Sequence, residues 1–365
     1  MIWRKSIGPG FSSPIIVSGK LIYLDDIEMK ETVHVLDAST GSEIWSAPFS
    51  DSYGDEWGSG PRSTPLVDED RLYVQSCNGE FQCLALNNGK QRWRINFADY
   101  GVEFLGSKAR EGTAARRGNS GSAVIDQSRI FVPVGSTKGA TIVCFDKLTG
   151  KELWRALNDE AAYSSLKVGD LAGVRQVVAF TAEALAGLDC QTGKVLWRVP
   201  LVTNAKRHAA TPVIAGDLVM VNSHTIGVVA LRISREDDGL KASEAWVNKE
   251  MKINIATPVL VDHHLYSQGP NKDYVCIDAR TGKTLWSEPG FGAGRKDYSS
   301  TIALGKNLLV LSEDGMLRMI AADPAKYNEI GRAQVCGNTW SFPAYSDGKL
   351  YVRDGRELRC FDLMP

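Results

Sequence analysis

The chain of 365 residues carries 42 Lys and Arg against 43 Asp and Glu, a formal net charge of −1. It lacks the basic excess or stripe of a nucleic-acid or anionic-membrane binder, and at 43% hydrophobic and 23% charged residues it has a globular rather than a disordered composition. No run approaches the roughly 18 apolar residues that span a bilayer, and the opening MIWRKSIGPGF holds no hydrophobic signal core.

In chain order the elements are short β-runs punctuated by Gly, Asp and Asn. IWRKSI, around Trp3, is a lone strand with no unit before it. A first unit opens at Pro14 (SSPIIVSGKLIYL) and closes on LDASTGSEIW at Trp45. The connection SDSYGDEWGSGPR, with Trp57 and Arg62, leads to a second unit at Pro65 (STPLVDEDRLYV), ending LALNNGKQRW at Trp93. The longest insertion, about 98–120, precedes the third unit at Ala123 (GSAVIDQSRIFV), which ends FDKLTGKELW at Trp154. The fourth unit begins at SSLKVGDL and ends LDCQTGKVLW at Trp197; the fifth begins ATPVIAGDLVMV and ends in a degenerate copy at Trp246. The sixth runs from ATPVLVDHHLYS to IDARTGKTLW at Trp286, the seventh opens STIALGKNLLVL, and the eighth opens FPAYSDGKLYV and stops at LRCFDLMP.

Each unit reads as four antiparallel strands, A to D, joined by tight turns, and no segment keeps helical apolar spacing. Repetition at this period predicts an all-β protein, an eight-bladed β-propeller with four-stranded antiparallel blades. The last unit lacks strand D and the N-terminal strand lacks a unit, so the Trp3 strand is expected to complete the last blade and close the ring. Residues 1–365 then form a single domain.

The phrase Asp-x-x-Thr-Gly-x-x-x-Trp has a physical reading. The Asp (Asp37, Asp146, Asp189, Asp278) can accept backbone N–H groups of its own turn, and the Gly can take positive φ without steric cost. The Trp that follows is then presented from a constant place on the outer strand. Trp3, Trp45, Trp93, Trp154, Trp197, Trp246 and Trp286 are accordingly expected to dock between neighbouring blades. The same phrase resembles the tryptophan-docking motif of the PQQ-like eight-bladed propellers. That family holds quinoprotein alcohol dehydrogenases, the β-barrel assembly lipoprotein BamB and many PQQ-like repeat proteins. The resemblance covers essentially the whole chain and implies the fold and a periplasmic or secreted location. It does not by itself imply a reaction.

The residues offer little chemistry. A quinoprotein dehydrogenase, as the resemblance implies, needs a Glu/Asn/Asp set for Ca²⁺, a general-base Asp and an adjacent-cysteine ring. The seven cysteines include no adjacent pair and no CxxC. Cys83, Cys144, Cys276 and Cys360 fall at one strand-C position, where other units carry Val35, Gly187, Ala230 and Met319, and so read as buried free thiols. The acidic runs Asp25-Asp26 and Glu236-Asp237-Asp238 read as solvated connections, and His263-His264 as an exposed turn. No catalytic residue, metal site or cofactor is expected; PQQ and Ca²⁺ belong to the alternative, a quinone-dependent alcohol dehydrogenase-like oxidoreductase, degenerate or active.

What remains is the entrance to the ring. Residues just before each strand A should surround a central funnel: Phe11, Arg62, Asn119, Tyr163, His208, Asn254, Tyr298 and Trp340. Aromatic rings beside hydrogen-bonding groups suit a small-molecule or peptide site. Trp57, in the first connection, and Arg110, Arg116 and Arg117, in the insertion, should emerge on the same face. The expected function is a non-catalytic binding or assembly scaffold, a monomer that engages a protein or a small anionic or aromatic ligand at the funnel face.

Overall fold

Turn chemistry sets the architecture. Asp37 accepts hydrogen bonds from the backbone N–H of Ser39 and Thr40, both at 2.9 Å, and Gly41 returns the chain with a φ of +72°. Asp146, Asp189 and Asp278 hold their own turns in the same way. Each such turn joins strand C to strand D of one blade.

The result, in the computed structural model, is eight four-stranded antiparallel sheets arranged as blades in a ring. The structure describes residues 1–103, 118–203, 206–292 and 298–363. Blade 1 is built from Ile15–Val17, Lys20–Ile27, Lys30–Asp37 and Glu43–Asp51, its strands A to D. Blades 2 to 7 occupy 66–96, 124–156, 167–200, 213–248, 259–289 and 299–334. Blade 8 takes Ala344–Ser346, Lys349–Arg353 and Glu357–Asp362 from the C-terminal end and Trp3–Ser6 from the N-terminal end, with Trp3 opposite Cys360. Neighbouring A strands touch one another, as in blades 8 and 1, 3 and 4, 5 and 6, and 6 and 7, so they line the axis. Additional elements are a small hairpin, Gly54–Asp55 with Gly58–Ser59, and a 3₁₀ turn at Phe97–Tyr100.

The seams between blades explain the repeated Trp. The indole N–H of Trp3, Trp45, Trp93, Trp154, Trp246 and Trp286 donates to a backbone carbonyl in the C–D turn of the following blade, at 2.9 to 3.2 Å. The turn glycine makes room for the ring: a Cβ on Gly150 would stand 2.6 Å from Trp93. Two seams depart from this rule for a visible reason. Blade 5 has a long hairpin, Gly227–Glu236 with Gly239–Asn248, instead of the tight turn. Trp197, having no turn to dock on, donates to Gln176 of its own blade at 2.7 Å. Leu231, Ile233, Leu240 and Ala242 of the hairpin pack into the Trp197 cluster and fill the seam. Blade 8 has no C–D turn because the chain ends meet there, and blade 7 carries Gly331 opposite Met319, where other blades carry Trp.

The shared strand-C position lies directly opposite the Trp: Cys83 faces Trp93, Cys144 faces Trp154, Cys276 faces Trp286 and Cys360 faces Trp3. A tight slot under an indole admits only compact side chains, and at Gly187 a Cβ would collide with Trp197. All seven cysteines are buried and unpaired. Burial pushes the Cys83 thiol up to about 11, so these groups stay protonated and inert.

Asp25 is not a solvated connection residue; it lies in strand B of blade 1 with no exposure. It accepts from the Gly8 N–H at 2.8 Å and meets His34 Nε2 at 2.9 Å. His34 in turn reaches Glu43 at 2.8 Å through Nδ1 and stacks on Tyr23. The buried Arg353 guanidinium of blade 8 donates to the carbonyl of Gly8 at 3.1 Å and to that of Leu24. This network fastens the segment that links the N-terminal strand to blade 1. Asp237 and Asp238, by contrast, are exposed at the tip of the blade 5 hairpin.

Candidate functional site

The ends of the B strands position the funnel mouth. In blade 2 the last residue of strand B, and in blade 5 the last but one, is a buried polar group that braces the incoming loop of the next blade. Gln75 donates to the carbonyls of Asn119 and Gly121 at 3.2 and 3.0 Å, and Asn222 to those of Ile253 and Ala256 at 3.2 and 3.1 Å. Sequence reasoning did not single these residues out. The available signal is a polar residue closing an apolar run, as in LYVQ, LVMVN and LYVR.

Held by these loops is a cavity of about 270 Å³ at the ring axis. Phe11, Arg62, Tyr163, Asn254, Tyr298 and Trp340 line it, together with Trp57, Ser120, Arg207, Ala209 and Ile255. The rings of Phe11 and Trp340 lie 5.7 Å apart, and those of Trp57 and Trp340 5.6 Å apart. Arg62 donates to Asp55 at 2.6 Å, and its guanidinium lies 5.1 Å from the ring centres of both Phe11 and Tyr53. Burial disfavours the Arg62 cation, but the Asp55 hydrogen bond and charge outweigh it and raise its pKa, so it remains charged.

Two expected funnel residues point elsewhere. Asn119 is 4% exposed and gives its amide N–H₂ to the carbonyls of Pro133 and Val134, so Ser120 takes its place in the lining. His208 is fully buried; its Nδ1–H donates to the Thr181 carbonyl at 2.7 Å and its ring stacks on Phe180 at 4.1 Å. Burial lowers its pKa, so it is a neutral packing residue. Strand alternation could not tell which of two adjacent loop residues turns inward. Arg110, Arg116 and Arg117 lie outside the described residues.

Beside the cavity residues, Glu31 is wholly buried in strand C of blade 1. Burial pushes its carboxyl up to about 8, against the lowering effect of the Ser76 hydroxyl. Among the described residues the cavity lining holds arginines but no carboxylate and no cysteine, and no group of three His, Cys, Asp or Glu is arranged to hold a metal ion. The arrangement suits recognition of an apolar or aromatic group beside an anion.

A family model described as outer membrane protein assembly factor BamB matches residues 1–101 and 84–327 of the chain. The chain belongs to this family. The outer membrane protein assembly factor BamB of Burkholderia pseudomallei (strain K96243) is 27% identical over 278 residues, an alignment that covers 72% of this chain and 63% of that protein. The chain thus spans less than two thirds of that relative. The crystal structure of BamB from Moraxella catarrhalis superposes with a TM-score of 0.62 at 14% identity, over 98% of this chain and 97% of that one. The computationally designed protein Ika8 gives 0.65 at 12% identity, over 97% of each chain. The two superpositions show a shared fold and no more.

Proposed function

We propose that this chain is a non-catalytic scaffold in outer-membrane protein assembly, acting outside the cytoplasm as a monomer and engaging a protein partner with its funnel face. The observation that carries the reading is the segregation of the two faces. Most of the C–D turns repeat one structural solution, whereas the funnel mouth gathers Phe11, Arg62 and Trp340, side chains that differ from blade to blade, with Trp57 around a cavity. Aromatic rings and arginine are the groups that dominate protein recognition sites. The family's relatives named as outer-membrane assembly factors supply the process.

The test is complementation. In a host lacking its own copy of the gene, this chain should restore outer-membrane protein levels, and Arg62→Ala with Trp340→Ala should fail to do so while folding normally. Full complementation by the double variant would refute engagement at the funnel. PQQ-dependent oxidation of an alcohol by the purified protein would refute the scaffold reading.

A further inference from the structure

Most of the charge around the funnel mouth is already answered within the protein. Arg62 is paired with Asp55 at 2.6 Å. Arg207 is different. It is half-buried in the lining of the funnel cavity and has no carboxylate partner among the described residues. Burial and the Arg207 cation both lower the pKa of His224, so the imidazole beside it is neutral. The same lining holds hydrogen-bonding groups that are not in use. Tyr298 is 7% exposed, and its phenol makes no hydrogen bond to another described residue; the Asn254 amide makes none either. A buried phenol normally finds a partner, so this one is left for a group that enters the cavity.

A second cavity, of about 310 Å³, adjoins the first and shares the aromatic wall of Phe11, Trp57 and Trp340 with it. The wall is built in advance: Asp55 accepts the Trp57 N–H at 2.9 Å, and the Ser341 hydroxyl next to Trp340 donates to the Phe11 carbonyl at 3.0 Å. Beyond the wall Asp354 is satisfied by the N–H groups of Gly337, Arg356 and Glu357 and by Arg359, so it calls for no cation from outside. Gly10, Gly58 and Gly355 line this second cavity and offer no side chain to obstruct a main chain. Each cavity is close to the lower limit of small-ligand sites, roughly 300 Å³. Two such spaces on either side of one wall suit successive residues of a single chain; a compact molecule would fill one and leave the other.

We propose that the funnel mouth takes an extended acidic and aromatic segment of a polypeptide, with Arg207 and Tyr298 as the residues that select the acidic side chain. The aromatic side chain lies on the Phe11, Trp57 and Trp340 wall, the carboxylate accepts from the Arg207 guanidinium and the Tyr298 phenol, and the main chain continues across the glycine-lined cavity. An extended strand places every second side chain on one face, about 6.6 Å apart, so an aromatic-x-acidic spacing presents both groups to the first cavity. This inference deepens the funnel reading and rests on it for the identity of the partner as a polypeptide.

The test follows binding to the full chain by titration calorimetry, with the capped peptide Ac-Glu-Ser-Phe-Ser-Glu-NH₂, a version with Gln for both Glu, a version with Ala for Phe, and N-acetylphenylalanine, which carries a ring and a carboxylate without a chain. The Glu peptide should bind about tenfold tighter than the Gln peptide, the scale of one hydrogen bond to a charged group. The Ala version should not bind measurably, and N-acetylphenylalanine should bind more weakly than the Glu peptide. Arg207→Gln should bring the Glu and Gln peptides to equal affinity and Tyr298→Phe should narrow the gap between them, with melting temperatures checking both folds. Equal affinity for the two peptides in the wild type, a Glu preference that survives Arg207→Gln, N-acetylphenylalanine binding as tightly as the Glu peptide, or no binding of any would each overturn the proposal. In all these cases a failure of the Arg62 and Trp340 double variant to complement would leave the scaffold reading standing. A clear Glu preference with full complementation would support the site and refute its use in assembly.

Discussion

Tryptophan serves two purposes here, and the two sets differ in what surrounds them. At the seams, Trp93 meets a partner that the next blade always supplies, a turn carbonyl at 3.1 Å and a glycine that gives way to the ring. At the funnel mouth, Trp57 and Trp340 meet each other, Phe11 and a cavity. The first set is needed because each blade must be glued to its neighbour. The second set lies outside the docking phrase and packs in the connections at the funnel mouth. A repeated residue in such a ring therefore reports on the fold, and an unrepeated aromatic on one face reports on use.

Substitution can break this contrast. The largest expected effect is at a docked seam: Trp93→Ala should cost about 3–5 kcal/mol of stability, read by denaturant unfolding, with no change in partner affinity in conditions where the protein stays folded. At the funnel the pattern should invert. Trp340→Ala or Arg62→Ala should weaken binding by about 1–3 kcal/mol with an unfolding midpoint close to that of the wild type. The exceptional seam sharpens the rule. Gln176→Leu should cost about 1–3 kcal/mol, because it leaves the buried Trp197 N–H without its acceptor. The same loss at the 4–5 seam would then show that a side-chain amide has replaced the turn carbonyl.

A pH dependence is also expected from blade 1. The Glu31 carboxyl is raised to about 8 by burial. For His34, burial opposes the charged form, but the hydrogen bonds and charges of Asp25 and Glu43 prevail and raise its pKa. A group whose folded pKa is raised binds more protons folded than unfolded, so its contribution to stability falls as pH rises. For Glu31 the loss runs from about 4.5 to about 8; for His34 it begins above its ordinary value of 6.5. The melting temperature should therefore decline between about pH 6.5 and 8, above the range in which the lowered pKa of His208 opposes it. Glu31→Gln should flatten that decline and raise the melting temperature at pH 8. An unchanged slope would mean that Glu31 is solvated.

The fold was legible because it repeats: eight copies of a strand-turn phrase carry both the period and the position of each Trp. The exceptions were legible only in part. The degenerate copy at Trp246 signals an altered blade 5, but nothing in LDCQTGKVLW announces that Trp197 turns to Gln176. The funnel mouth was legible as a ring of loop positions, but not that Asn119 and His208 turn away from the cavity, because side-chain direction there depends on loop bracing by residues far away in sequence. Asp25 was misread for a similar reason. Two adjacent aspartates look like a solvated turn until His34 and Gly8 are seen to occupy the first of them.

What separates the funnel from the seams is the proposed engagement of the partner at the funnel face. It is tested most directly by placing a photoreactive amino acid singly at Ser59 and Asn254 on that face, and at Lys90 and His263 in the C–D and A–B turns, and crosslinking in living cells. Ser59 and Asn254 should each give a protein adduct, and Lys90 and His263 none. Adducts from the turn positions alone would contradict it.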